Sequence, residues 1–158
     1  MSASPTLFEW AGGMPAFERL TEVFYEHVHA DPVLAPVFAH VGSGHARHVA
    51  QWLAEVFGGP TAYTDEHGGY PAMLRHHLGL DITEEQRRRW AQLIAEAADE
   101  PGLPDDPEFR SAFVAYIEWG SRIGRANSRP GASPPARAPV PRWGWGEAPP
   151  YLPSDDAQ

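Results

Sequence analysis

Val49, Trp52, Leu53, Val56 and Phe57 recur at a spacing of about 3.6 residues and stop dead at Gly58-Gly59-Pro60. That pairing of apolar stripe and breaker constrains the fold more than any other feature. A half-buried strand needs apolar residues at every second position, and no segment sustains that alternation. Phe17, Leu20, Phe24 and Val28 mark one face of another helix that starts near Met14-Pro15, where the missing proline N–H is not required. Asp31-Pro32 predicts a short capped helix through Val33 and Leu34. Thr83-Glu84-Glu85-Gln86 is a capping box that opens a helix with Trp90, Leu93, Ile94 and Ala97 on its inner face. Pro101 and Pro104 close that region. Asp105 or Asp106 then starts a last helix, with Phe109, Phe113, Tyr116, Ile117 and Ile123 inward. The expectation is an all-α domain of five or six helices. The run from Gly58 to Pro71, GGPTAYTDEHGGYP, carries no stripe and reads as a long loop, of the kind that a bound group holds in place.

The chain divides near residue 127, into a helical domain over 1–126 and an extension over 127–158. A chain of 158 residues suits one domain with a real core. In the extension Pro134-Pro135, Pro139, Pro141 and Pro149-Pro150 forbid long helices. Trp143, Trp145, Tyr151 and Leu152 are unfavourable in water, so the extension is either flexible or packed back on the domain through Arg142-Trp143-Gly144-Trp145-Gly146. A net charge of −9 excludes general nucleic-acid binding, which needs a basic face. The absence of cysteine excludes disulfides, thiolate zinc sites, cysteine catalysis and iron–sulfur clusters. No apolar run has membrane length and the first residues lack a signal-peptide pattern, so the expectation is a soluble cytoplasmic protein with no membrane partner.

Chemistry concentrates in the histidines. His27, His29 and His67 fall on polar or loop positions and read as surface residues. His45 and His48 form a His-x-x-His on one helix face, with His40 nearby. That spacing suits a structural zinc but lacks a matched third ligand. His76 and His77 lie about 100° apart on a helix, so only one faces a given pocket. Met73 and Leu74 share the side of His77, whereas His76 lies with Ala72 beside Arg75; the apolar company selects His77 as the buried one. A ligating imidazole donates its second N–H to a carbonyl, and the helix end before Gly79 offers such carbonyls. Tyr25 and Trp90 are ordinary core residues or, because each carries a polar atom that needs a partner, donors around a polar ligand. A histidine, a phenol and an indole around one pocket are the equipment of a haem protein, and without cysteine the iron falls to histidine, tyrosine or methionine.

From Phe8 to Arg125 the chain resembles the truncated, two-over-two haemoglobins of bacteria, and specifically their second group. The resemblance is carried by Gly12-Gly13, Arg19 to Val28 with Phe24-Tyr25, and Asp31-Pro32-Val33-Leu34 leading to Phe38. It continues through Trp52 to Gly58-Gly59-Pro60 and Tyr63, Gly69-Tyr70-Pro71 to His77, and Trp90 thirteen residues further on. It implies a helical sandwich around a b-type haem, with His77 as the proximal iron ligand, Tyr25 on the distal side and Trp90 as the tryptophan that marks the second group. Phe38 stands on the haem face where some relatives have tyrosine. His45 takes the position closest to the ligand, with His48 as its alternative. Val49 lines the distal pocket, and Tyr63 with Arg75 or His76 meets the haem propionates, although relatives tend to have arginine in place of His76. The extension lies outside the family's core. Implied functions are binding, transport or storage of oxygen or another diatomic gas, as monomer or homodimer. The alternative is haem redox chemistry: peroxide reduction or nitric oxide detoxification, with an electron-donor reductase as partner. A third class is a helical module with a structural metal at His45 and His48.

Overall fold

The computed structural model describes residues 4–42, 44–100, 102–148 and 150. Pro101, Pro149, Tyr151 and Leu152 lie outside the described residues. These residues form seven helices and no strand: α1 (Leu7–Ala11), α2 (Met14–Ala30), α3 (His45–Val56), α4 (Ala62–His67), α5 (Gly69–Arg75), α6 (Glu84–Ala97) and α7 (Pro107–Ser128). Helix α2 packs chiefly on α3, and α6 on both α7 and α2, so two helix pairs enclose the core. Phe17, Leu20, Phe24, Leu53, Phe57, Ile94, Phe109 and Phe113 fill it, each at most 1% exposed.

Three expectations are corrected. The stretch after Gly58 is not a loop but contains α4 and α5. Helices of six and seven residues are too short to show a stripe, and their order comes from a tertiary clamp. The Glu55 carboxylate, buried on α3, accepts the Thr64 N–H at 2.9 Å and the Thr64 hydroxyl. Gly68, in the left-handed region at φ 92°, turns the chain from α4 into α5. Second, Asp31 starts no helix: residues 32–40 form a run of turns, in which Pro36 lacks the N–H a helix would need. Its capping role is nonetheless met, since Asp31 Oδ1 accepts the N–H groups of Val33 at 2.9 Å and Leu34 at 3.1 Å. Third, α1 adds an unexpected helix, opened by a capping box between Thr6 and Glu9.

The described part of the extension lies back, through Trp143 and Trp145, across α1, the end of α3 and α7. The Trp143 N–H donates to the Val56 carbonyl at 2.8 Å, and its ring packs 5.4 Å from Tyr116 and 5.7 Å from Trp119. The Trp145 indole donates to the Pro5 carbonyl at 2.8 Å and meets Trp10 edge-on at 5.8 Å. Among the described residues no helix is long and apolar enough to cross a membrane.

Candidate functional site

Tyr25, on α2, is buried and hydrogen bonded through its hydroxyl to His45 Nε2, at the start of α3, at 3.0 Å. Phe38 closes edge-on over the phenol at 5.6 Å and lies 5.9 Å from the imidazole. Burial pushes the Tyr25 phenol far above its ordinary range, so it stays protonated. The Trp90 indole on α6 approaches closely enough to oppose that rise, yet no closed hydrogen bond joins the two. The other described indole donors with protein partners, in Trp10, Trp52 and Trp145, all have theirs at 2.9 Å or less. Trp90 is half-buried against Phe24 at 5.5 Å, with its indole near the Tyr25 hydroxyl. His45 is driven down to about 4, first by burial and then by the surrounding histidines, His48 foremost. It is therefore a neutral imidazole at neutral pH. Val49 lies one turn along α3 on the same side, half-buried.

His77 follows α5. Its Nδ1 lies 2.9 Å from the Met73 carbonyl oxygen. A carbonyl only accepts, so Nδ1 carries the proton and a neutral ring has its Nε2 lone pair free. Burial lowers the pKa of His77, with the Met73 bond acting against the shift, and so favours that neutral ring. His77 is half-buried, whereas Arg75 and His76 are exposed. Tyr63 lies in the core, 5.2 Å from both Trp52 and His67. Burial raises its phenol while the Arg75 guanidinium pulls the other way.

The His-x-x-His spacing brings no metal site together. His45 turns to Tyr25, while His48 packs on His67 with ring centres 4.1 Å apart. Among the described residues no three His, Asp or Glu side chains converge to hold a metal. His67 is half-buried rather than on the surface, bonded to Gln51 Oε1 at 2.8 Å. His27 is exposed and pairs with Glu100 at 2.6 Å, and His29 is exposed as well.

Sequence reasoning missed Tyr70 and Gly124. Tyr70, Met73 and His77 follow a helical i, i+3, i+7 rule, a signal that was available, and Tyr70 stacks on Trp52 at 5.8 Å. Gly124 touches His77 from α7 and has no signal in sequence beyond being a glycine inside an apolar stripe. The donor set fits a flat apolar group carrying one metal ion. Nε2 of His77 keeps a lone pair that the Met73 bond does not use, and Phe38, Val49, Tyr70, Met73 and Trp90 lie against the core without being fully buried.

Comparison with known proteins gives a consistent picture. The model of the bacterial-like globin family matches residues 6–118. The group 2 truncated hemoglobin YjbI of Bacillus subtilis is 34% identical over 110 residues, covering 70% of this chain and 81% of its own. The crystal structure of the group II truncated hemoglobin of Bacillus anthracis superposes with a TM-score of 0.71 at 29% identity, covering 78% of this chain and 92% of that one. The hemoglobin of Chloroflexus aurantiacus superposes with a TM-score of 0.68 at 30% identity, covering 76% and 97%.

Proposed function

Because this chain belongs to the bacterial-like globin family, we propose that it binds haem b through His77 and holds oxygen or another diatomic ligand beside Tyr25, His45 and Trp90. One observation carries the reading: the Met73 carbonyl accepts the Nδ1–H of His77, which leaves the Nε2 lone pair as a preorganised ligand atom. Bound there, the haem supplies an iron with a coordination position for the gas. Phe38, Val49, Tyr70, Met73 and Trp90 supply apolar walls that exclude water from it. Exposed Arg75 and His76 stand at the rim to meet the propionates, with Tyr63 behind them. On the opposite side Trp90 brings an indole N–H near the Tyr25 hydroxyl, which is itself hydrogen bonded to His45. Donors aimed at a ligand that gains negative charge retain it, so tight binding with slow release is the expected behaviour.

Haem titration into the purified protein is the test. A 1:1 complex with a Soret band is expected for the full chain and for His76→Ala, and its loss for His77→Ala. Loss of the band in His76→Ala with retention in His77→Ala would overturn the ligand assignment.

A second reading, haem redox chemistry on peroxide, is favoured by His45. Its imidazole is held neutral and hydrogen bonded to a protonated phenol, as a proton acceptor beside the ligand position would be. Under that reading an external reductase supplies electrons. Peroxide turnover that falls in His45→Leu and survives in Trp90→Phe is the expected signature.

A further inference from the structure

Helix α7 meets His77 and the segment that follows it at two positions four residues apart, on one helix face. Ser128 is completely buried. Its carbonyl accepts the Asp81 N–H at 2.8 Å, and its hydroxyl accepts the Ile82 N–H at 2.9 Å while donating to the Arg125 carbonyl at 2.7 Å. One turn earlier, the buried Gly124 lies against the imidazole. A Cβ at position 124 would stand 3.2 Å from His77 Nε2 and 3.3 Å from Cδ2. That is closer than carbon ordinarily packs, and it falls beside the one ring atom that the Met73 bond leaves free. Glycine is a poor helix former, and Gly124 is not among the residues whose backbone takes a positive φ, so the helix itself does not call for glycine there. What the residue contributes is room.

We propose that Gly124 is a positioning residue for the iron ligand. Its missing side chain lets α7 seat the Nε2–Cδ2 edge of His77, while Ser128 holds the backbone at Asp81 and Ile82, so α7 fixes the tilt at which the imidazole would face the haem. The inference rests on the reading that His77 binds iron. It places control of the ligand's tilt on a helix that contributes no ligand.

Gly124→Ala is the test, compared with the wild type and with His77→Ala. The apoprotein should melt at the same temperature or higher by circular dichroism, because alanine is the better helix former and the ring can rotate away. In the holoprotein, haem release to an excess of a scavenging apoprotein should accelerate by about tenfold or more, the scale expected when a group that orients a metal ligand is disturbed. The iron–histidine stretching band of the ferrous form should move in resonance Raman. That band reports only molecules that carry haem, so a loss of stability in the variant does not mask it. An unmoved band together with haem release within twofold of wild type overturns the proposal. A wild-type protein without a Soret band, or a His77→Ala variant with the wild-type iron–histidine band, would overturn the ligand reading instead.

Discussion

Trp90→Phe removes one N–H and keeps most of the ring that packs on Phe24. The structure sets the size of the effect through what each donor is already doing. The Trp90 indole approaches the Tyr25 hydroxyl without closing a short hydrogen bond, so its N–H gives up little on turning to a bound ligand. The Tyr25 hydroxyl is engaged by His45 Nε2 at 3.0 Å, and a ligand must compete with that imidazole for it. A hydrogen bond to a group bearing charge is worth ~1.5–3 kcal/mol, which converts to an oxygen off-rate raised on the order of tenfold to a hundredfold in Trp90→Phe. For Tyr25→Phe the net change is that of an ordinary exchanged hydrogen bond, ~0.5–1.5 kcal/mol, or roughly two- to tenfold. Burial and the neighbouring histidines hold the His45 pKa down at about 4, so this imidazole should leave the wild-type off-rate flat between about pH 5.5 and 8. Stopped-flow oxygen dissociation on the ferrous protein, its two phenylalanine variants and His45→Leu measures all of this. An unchanged rate in Trp90→Phe with a large rise in His45→Leu would refute the reasoning. The donor role would then pass to the histidine, and peroxide chemistry would become the stronger reading.

The same depressed His45 pKa makes a stability prediction. Its folded-state value, about 4, lies below the unfolded value of 6.5, so the unfolded chain holds more protons in that window and stability falls as pH drops through it. Discounted for partial exposure, the loss from His45 alone is about 1 kcal/mol at pH 5. Urea unfolding should therefore show a shallower decline between pH 7.5 and 5 in His45→Leu, and parallel curves would count against a buried neutral imidazole. Deleting residues 129–158 should leave haem binding intact, since no proposed cofactor contact lies there. It should nonetheless remove the Trp143 and Trp145 contacts, worth roughly 2–4 kcal/mol together, and lower the melting temperature by several degrees. A melting point within one degree of the full chain would mean that the extension rests on the domain without stabilising it.

How much of this was legible in the residues depends on where each interaction has its partners. Helices α2, α3, α6 and α7 are readable because each is long enough to present a repeated apolar face, as Phe17, Leu20, Phe24 and Val28 do on α2. Helices α4 and α5 are not, because the Glu55 clamp on Thr64 spans nine residues and two elements, and a glutamate inside a helix stripe gives no hint of it. The site divides in the same way. The acceptor for His77 lies four residues back, within its own turn, so helix geometry alone anticipates a carbonyl there. The Tyr25–His45 bond joins side chains twenty residues apart across two helices, and no local rule pairs a phenol with that imidazole. Gly124 is the extreme case. Its role depends on an atom it lacks, against a ring 47 residues away in the chain, and only three-dimensional packing shows that the space is used. The features that local periodicity carries thus build the walls of the pocket. The features that tune it are set where α7 and α3 meet residues remote in sequence: a protonated phenol against a neutral imidazole on one side, and a glycine beside the Nε2 of His77 on the other.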